Sequence, residues 1–154
     1  MYPASVESFF KLKEQSMDIL YFNPGKEKIG NDLLGILESH ITAKNIRIYR
    51  DMYSFSRKLI EPQKENAIAV ILTADEEDLM KLYAVKHLLY KAITILILPD
   101  RERDTIAIGF RCKPYFMTFV DYDPDEIGHV IRTLTTQPLQ SDTYNTGEEQ
   151  RFAA

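Results

Sequence analysis

Gly25 and Gly30 follow an apolar run with four residues between them, the glycine spacing of a loop that cradles phosphate. Such a loop also needs a Lys for the phosphates and a Ser or Thr for Mg²⁺ directly after the second glycine. Asn31 and Asp32 occupy those places, so the chain does not carry that chemistry. Gly25 then reads as turn punctuation after Asn23-Pro24, and Gly30 as a close approach of helix to sheet. No G-x-G-x-x-G occurs, which removes the dinucleotide fingerprint. His40, His87 and His129 have no carboxylate or His partner at ligand spacing, so structural or surface roles are expected of them rather than metal ligation. Cys112 has no His nearby and no G-x-S-x-G elbow is present, so nucleophilic catalysis has no support in the sequence. No cofactor is expected. The remaining candidates are three carboxylates, Asp75, Asp100 and Asp121, which matter only if the fold brings them to one crevice.

The composition narrows the field further. The 154 residues carry 19 Lys and Arg against 23 Asp and Glu, a net charge of −4 that disfavours non-specific nucleic-acid binding. A hydrophobic content of 45% suits one globular domain. The single Cys112 excludes an internal disulfide and a Cys-based zinc site. The longest apolar runs, Ala67 to Leu72 and Ile95 to Leu98, are too short to cross a bilayer. Glu7, Lys11, Lys13 and Glu14 interrupt residues 1–16, so no signal-peptide core is expected there. A cytoplasmic protein that binds neither membrane nor nucleic acid is the expectation.

Elements able to position the carboxylates alternate along the chain. Ala67 to Leu72 and Ile93 to Leu98 are continuous, β-branched apolar runs, which predicts strands covered on both faces. Met17 to Phe22 is a third of the same kind. Ile46 to Tyr49 alternates apolar and polar like an edge strand, and Tyr115 to Val120 is mixed and reads as the other edge. Helical stripes lie between them: Ile29, Leu33, Ile36, Leu37 and Ile41; Leu79, Leu82, Val85 and Leu89; Ile127, Val130, Ile131 and Leu134. Asp75 before Glu76-Glu77-Asp78 and Asp123 before Pro124-Asp125-Glu126 are start signals. A short helix over Ser54 to Ile60 is expected to be capped by Ser54. Arg101 to Arg111 fits either a strand or a helix, and a short, poorly formed helix is the preferred reading.

This βα rhythm argues a flavodoxin-like α/β fold: a five-stranded parallel sheet in the order 2-1-3-4-5 with helices on both faces. The expected domain is 17–134, preceded by an amphipathic helical extension over 1–16 and followed by a polar tail over 135–154. Val6, Phe9, Phe10 and Leu12 are the apolar positions of that extension. Tyr115, Phe116, Phe119 and Tyr122 crowd the final strand and its exit, where an edge has few places to bury aromatics.

In this strand order the crevice lies at the carboxyl ends of the strands, at Asn23-Pro24, Thr73-Ala74-Asp75, Pro99-Asp100 and Asp121-Tyr122. That layout, with the closing stretch Asp121-Tyr122-Asp123-Pro124-Asp125-Glu126-Ile127, resembles the receiver domain of bacterial response regulators over about 17–134. The resemblance implies an acidic pair after strand one, a phosphate-accepting Asp ending strand three, a hydroxyl residue after strand four and a Lys after strand five. Here Asn23 and Pro24 replace the pair, Thr73 ends strand three with Asp75 two residues late, and Leu98-Pro99 replace the hydroxyl residue. Lys113-Pro114 precedes the fifth strand, at the wrong end of the sheet. A divalent cation loses its oxygen ligands and a phosphoryl group its charge clamp. The chain is therefore expected to be a degenerate receiver of the two-component class, a non-enzymatic signalling module. It would engage a protein partner or itself, as a homodimer, through the fifth-strand side. Tyr115, Phe119 and Tyr122 are the expected contacts, with Phe9 and Phe10 as a cover. The alternative is a small-ligand or enzymatic domain using Asp75, Asp100 and Asp121.

Overall fold

The computed structural model describes residues 17–62 and 67–136. Five strands, β1 (Asp18–Phe22), β2 (Ile46–Tyr49), β3 (Ala67–Leu72), β4 (Ile93–Leu98) and β5 (Phe116–Phe119), form one sheet in the order β2-β1-β3-β4-β5. Every pairing is parallel, with Tyr21 opposite both Ile48 and Val70, and Ile97 opposite both Leu72 and Thr118. The helices between them are α1 (Glu27–Glu38), α2 (Met52–Ile60), α3 (Glu76–Ala84), α4 (Arg103–Arg111) and α5 (Pro124–Thr136). The flavodoxin-like fold read from the sequence is the fold observed.

Side chains alternate across each strand, so the two faces of the sheet build two cores. Ile19, Tyr21, Ile68, Val70, Ile95 and Ile97 pack under α1 and α5 with Leu33, Leu37, Ile127 and Ile131. Leu20, Phe22, Ala69, Ile71, Leu96 and Leu98 pack under the other layer with Phe55, Leu59, Leu79, Leu82 and Cys112. All six residues of β3 are buried, because strands flank it on both sides and helices cover it above and below. β2 is half-buried at Ile46 and Tyr49 and exposed at Arg47 and Ile48, so it is covered less than the inner strands, as an edge is, although Ile48 does not follow the inward face that its alternation with Arg47 suggested.

Four local expectations need correction. α2 begins at Met52, and its cap is Asp51, whose Oδ1 accepts the Ser54 N–H at 2.8 Å. Ser54 is the donor in this cap, since a carboxylate three residues upstream competes for its amide. The stripe Leu79, Leu82, Val85 and Leu89 is two elements. Val85 leaves the helical region at φ −111° and ψ 16°, and residues 86–91 tighten into a 3₁₀ segment that buries Leu89 and brings Lys91 Nζ to the Ile60 carbonyl at 3.1 Å. Arg101 to Arg111 holds a regular nine-residue helix whose buried face is Thr105 and Gly109, followed by Cys112. Those small residues leave no large apolar stripe for periodicity to detect. Thr135 and Thr136, read as the start of the tail, form the end of α5.

Cys112 lies in the second core, where burial pushes its thiol from an ordinary 9.0 up to about 11 against a smaller opposing pull from Lys86. The neutral thiol is thus favoured in the folded state. Its contribution is complete below pH 9 and is lost as the pH rises toward about 11. Iodoacetamide at pH 8 is expected to leave the native protein unalkylated and to label Cys112 only along the urea unfolding curve. Rapid labelling of native protein would refute this.

Candidate functional site

The crevice is built where the five strands end. After β1 the buried Asn23 turns its carboxamide back into its own loop, its Oδ1 accepting the N–H groups of Gly25 and Lys26, each at 3.1 Å. This Asx-type turn lets Gly25 adopt φ +117° and starts α1 with no further side-chain cap. Gly30, one turn into α1, faces this amide, where a Cβ would meet Asn23 Cγ at 2.7 Å. Tyr21 reaches the same turn from β1, donating its hydroxyl to the Gly30 carbonyl at 2.8 Å. The helix–sheet contact expected at Gly30 is therefore real, and the structure adds its partner, Asn23.

After β3, Thr73 is fully buried and donates its hydroxyl to the Ile97 carbonyl at 2.7 Å, while its own N–H bonds the same oxygen at 3.0 Å. Asp75 caps α3 by accepting the Asp78 N–H at 2.9 Å, as its place before three acids predicts. Asp78 Oδ2 accepts the Ala74 N–H at 3.1 Å. Partial burial raises the Asp78 pKa, opposed by that hydrogen bond. After β4, Asp100 accepts the Glu102 N–H at 2.9 Å. After β5, Asp121 accepts from Arg101 Nη1 at 2.7 Å, and this bond holds its carboxyl below the usual range. The Arg101 guanidinium also lies over the Phe119 ring, 4.3 Å from its centroid.

Asn23, Thr73, Asp75, Asp100 and Asp121 thus all follow the carboxyl ends of the strands, at one end of the sheet. Each bonds to its own loop or to the neighbouring one. Among the described residues no three His, Cys, Asp or Glu side chains gather to hold a metal ion. Lys113, with φ +53°, lies at the amino end of β5, far from the crevice. The Arg101–Asp121 bridge joins the last two loops across twenty positions, and no local signal in the sequence announces it.

The aromatic side differs from expectation in detail. Tyr115, Phe116 and Tyr122 are half-buried against the α1–α5 core, and Phe119 against the opposite core beneath Arg101. Phe9 and Phe10 lie outside the described residues. Two surface features were not legible. Apart from Ile48 in the edge strand β2, the large exposed apolar side chains among the described residues, Tyr53, Ile60, Met80, Tyr90 and Phe110, belong to the α2–α3–α4 layer. On the other layer a groove of about 310 Å³ runs between α1 and the β5–α5 connection.

The described residues define a flavodoxin-like α/β domain in the receiver strand order. No family model matches the chain, and no curated protein matches it. Two solved structures share its fold. A pilus assembly-related protein of Burkholderia pseudomallei is similar at a TM-score of 0.60 and 13% identity, over 82% of this chain and 95% of that one. A pilus assembly protein of Burkholderia thailandensis, CpaE, is similar at 0.59 and 12%, over 79% and 99%. At such identities the likeness establishes the fold alone. No helix among the described residues is long and apolar enough to cross a membrane.

Proposed function

We propose that this chain is a receiver-like signalling module that binds protein partners and does not accept phosphate. The observation that carries the reading is Thr73: the position ending β3 holds a buried hydroxyl donated to the Ile97 carbonyl, with no carboxylate to attack a phosphoryl donor. Asn23 supports it, because its carboxamide is engaged by Gly25 and Lys26 and offers no second acid for Mg²⁺. Both structural neighbours carry pilus-assembly names, which is compatible with a module that acts through protein contacts.

Incubation with acetyl phosphate and Mg²⁺, followed by intact-mass measurement, is expected to show no phosphoryl adduct. An adduct abolished by Asp75→Asn would overturn the reading, since Asp75 is the nearest carboxylate in the sequence to the acceptor position at Thr73. The partner surface is the β5 edge, which no other strand pairs among the described residues, with Tyr115, Phe119 and Tyr122, and a twofold pair is the simplest closed assembly. Sedimentation at tens of micromolar is expected to give a dimer mass for the wild type. Phe119→Asp, with its far-UV spectrum retained, is expected to give a monomer. A monomeric wild type would remove self-association and leave a different protein as the partner.

A further inference from the structure

The two faces of α2 differ sharply. Phe55 and Leu59 are buried beneath the helix, while Tyr53, Arg57 and Ile60 recur at i, i+4 and i+7 along its outer face. Arg57 ties this ridge together. Its Nη1 donates to the Tyr53 hydroxyl at 3.1 Å, and its guanidinium lies 5.7 Å from the centroid of that ring. The 3₁₀ segment over residues 86–91 packs beside the end of α2, where Lys91 Nζ donates to the Ile60 carbonyl. It adds Tyr90 to the same surface, along with Lys86, whose Nζ lies 5.0 Å over the Tyr83 ring. Tyr53, Ile60 and Tyr90 are 69%, 61% and 80% exposed, so none of them serves the core. Large apolar side chains grouped in water mark contact surfaces, and Tyr and Arg are prominent among the residues that carry binding energy there.

Charge decides the occupant. Glu61, just past the end of α2, is already paired with Lys58 at 3.5 Å, and Asp51, at its start, holds the Ser54 amide and hydroxyl. Glu77 is paired with Lys81 at 3.3 Å. No carboxylate of a described residue pairs with Arg57, Lys86 or Lys91, so the ridge carries uncompensated positive charge. A second copy related by a twofold axis would set these cations against their own counterparts, and like charges face to face oppose association. A partner that brings carboxylates meets no such repulsion. The partner's backbone is constrained as well. α2 offers only side chains, because its main-chain groups are used within the helix, so an extended segment would gain no ladder of hydrogen bonds there. A helix can lay an apolar row along the ridge and keep acids at its flanks. The ridge from Tyr53 to Ile60 is about 10 Å long, which matches about two turns of such a helix.

We propose that the outer face of α2, with Tyr90, docks an acidic amphipathic helix of another protein. Tyr53, Ile60 and Tyr90 make the apolar contacts, and Arg57, Lys86 and Lys91 receive the carboxylates. α2 lies over β1 and β2, on the far side of the sheet from β5. The surface is therefore separate from the β5 edge and stands whether or not β5 self-associates.

An NMR titration of the isotope-labelled full chain tests it. The probe is a synthetic helix of about 18 residues with Leu at i, i+3, i+4 and i+7 and Glu and Ala elsewhere, set against the same peptide with Lys in place of Glu. The Glu peptide is expected to shift the amides of α2 and of residues 86–91 saturably, and the Lys peptide to leave them unmoved. Arg57→Glu and Tyr90→Ala, both at exposed positions, are each expected to weaken the Glu peptide by about fivefold or more, the loss that one hot-spot side chain carries. Phe119→Asp, at the β5 surface, is expected to leave the affinity unchanged. No saturable shift with the Glu peptide, equal affinity for both peptides, or indifference to Arg57→Glu would overturn the proposal. So would binding to vesicles of anionic phospholipid that Arg57→Glu abolishes while the Glu peptide leaves the spectrum unshifted, a result that assigns the ridge to a lipid headgroup.

Discussion

Gly30→Ala is expected to destabilise the protein by about 2–4 kcal/mol, although alanine is the better helix former by roughly 1 kcal/mol. The added Cβ would sit against the Asn23 amide, 2.7 Å from Cγ and 3.1 Å from Oδ1. Asn23 cannot move aside freely: it is buried, and its Oδ1 holds the N–H groups of both Gly25 and Lys26. Displacing it releases two hydrogen bonds at about 1 kcal/mol each and adds the strain of overpacking, which together exceed the gain in propensity. Gly35, in the same helix, provides the matched control, since a Cβ there meets nothing within 4 Å. Gly35→Ala is expected to stabilise by about 0.5–1 kcal/mol. Urea unfolding of the pair should move the midpoints in opposite directions. A Gly30→Ala protein as stable as Gly35→Ala would show that the Asn23 turn is soft.

A second large effect is expected at Phe55. This side chain is fully buried in α2 and locks the edge strand β2 and its neighbour β1 to the helix layer. Its ring lies 5.5 Å from the centroid of Phe22 in β1 and 5.8 Å, edge-on, from that of Tyr49 in β2. Phe55→Ala removes the apolar area, leaves a cavity and breaks two ring contacts, at a cost of about 3–5 kcal/mol. That is a large share of the roughly 5–15 kcal/mol that holds a domain together. Phe55→Leu keeps most of the volume and is expected to cost under about 2 kcal/mol. On the same helix, Ile60 is 61% exposed, and Ile60→Ala is expected to fall within about 0.5 kcal/mol of the wild type. Equal losses at positions 55 and 60 would contradict the division of α2 into a buried and a solvated face.

These two sites differ in how far the sequence discloses them. The strands at 67–72 and 93–98 are apolar runs broken only by Thr94, and an element buried on both faces must be written nearly that way. The sheet order follows from them, because two interior runs and one alternating edge leave few arrangements. α4 was harder to read, since it turns Thr105 and Gly109 inward and lets the small gap be filled by neighbours such as Met117 and Leu98. The α2 cap was misread because Ser54 and Asp51 are both good caps, and only the backbone shows which one accepts. In the crevice, the positions of Asn23, Thr73, Asp75, Asp100 and Asp121 follow from topology. The bonds that occupy them do not. Asn23-Pro24-Gly25 carries the signature of a side-chain-closed turn, and that signal pointed to the loop's geometry without naming Gly30 as its contact. The Arg101–Asp121 bridge depends on two loops meeting at the end of the sheet, which no local pattern encodes.

The central strand β3 also sets a condition on how the chain is made. Ala67 to Leu72 is a six-residue, uncharged, β-branched stretch without Pro or Gly, the composition that assembles into cross-β ladders when left uncovered. Its two flanking strands come from opposite sides in the sequence: β1 is already synthesised when β3 emerges, whereas β4 follows some twenty residues later. During that interval one side of the most aggregation-prone segment has no neighbour. Truncations between 73 and 92 should therefore send the product to chaperones or inclusion bodies, whereas the full chain, in which β4 pairs with β3 and α5 covers the first core, should not follow that route.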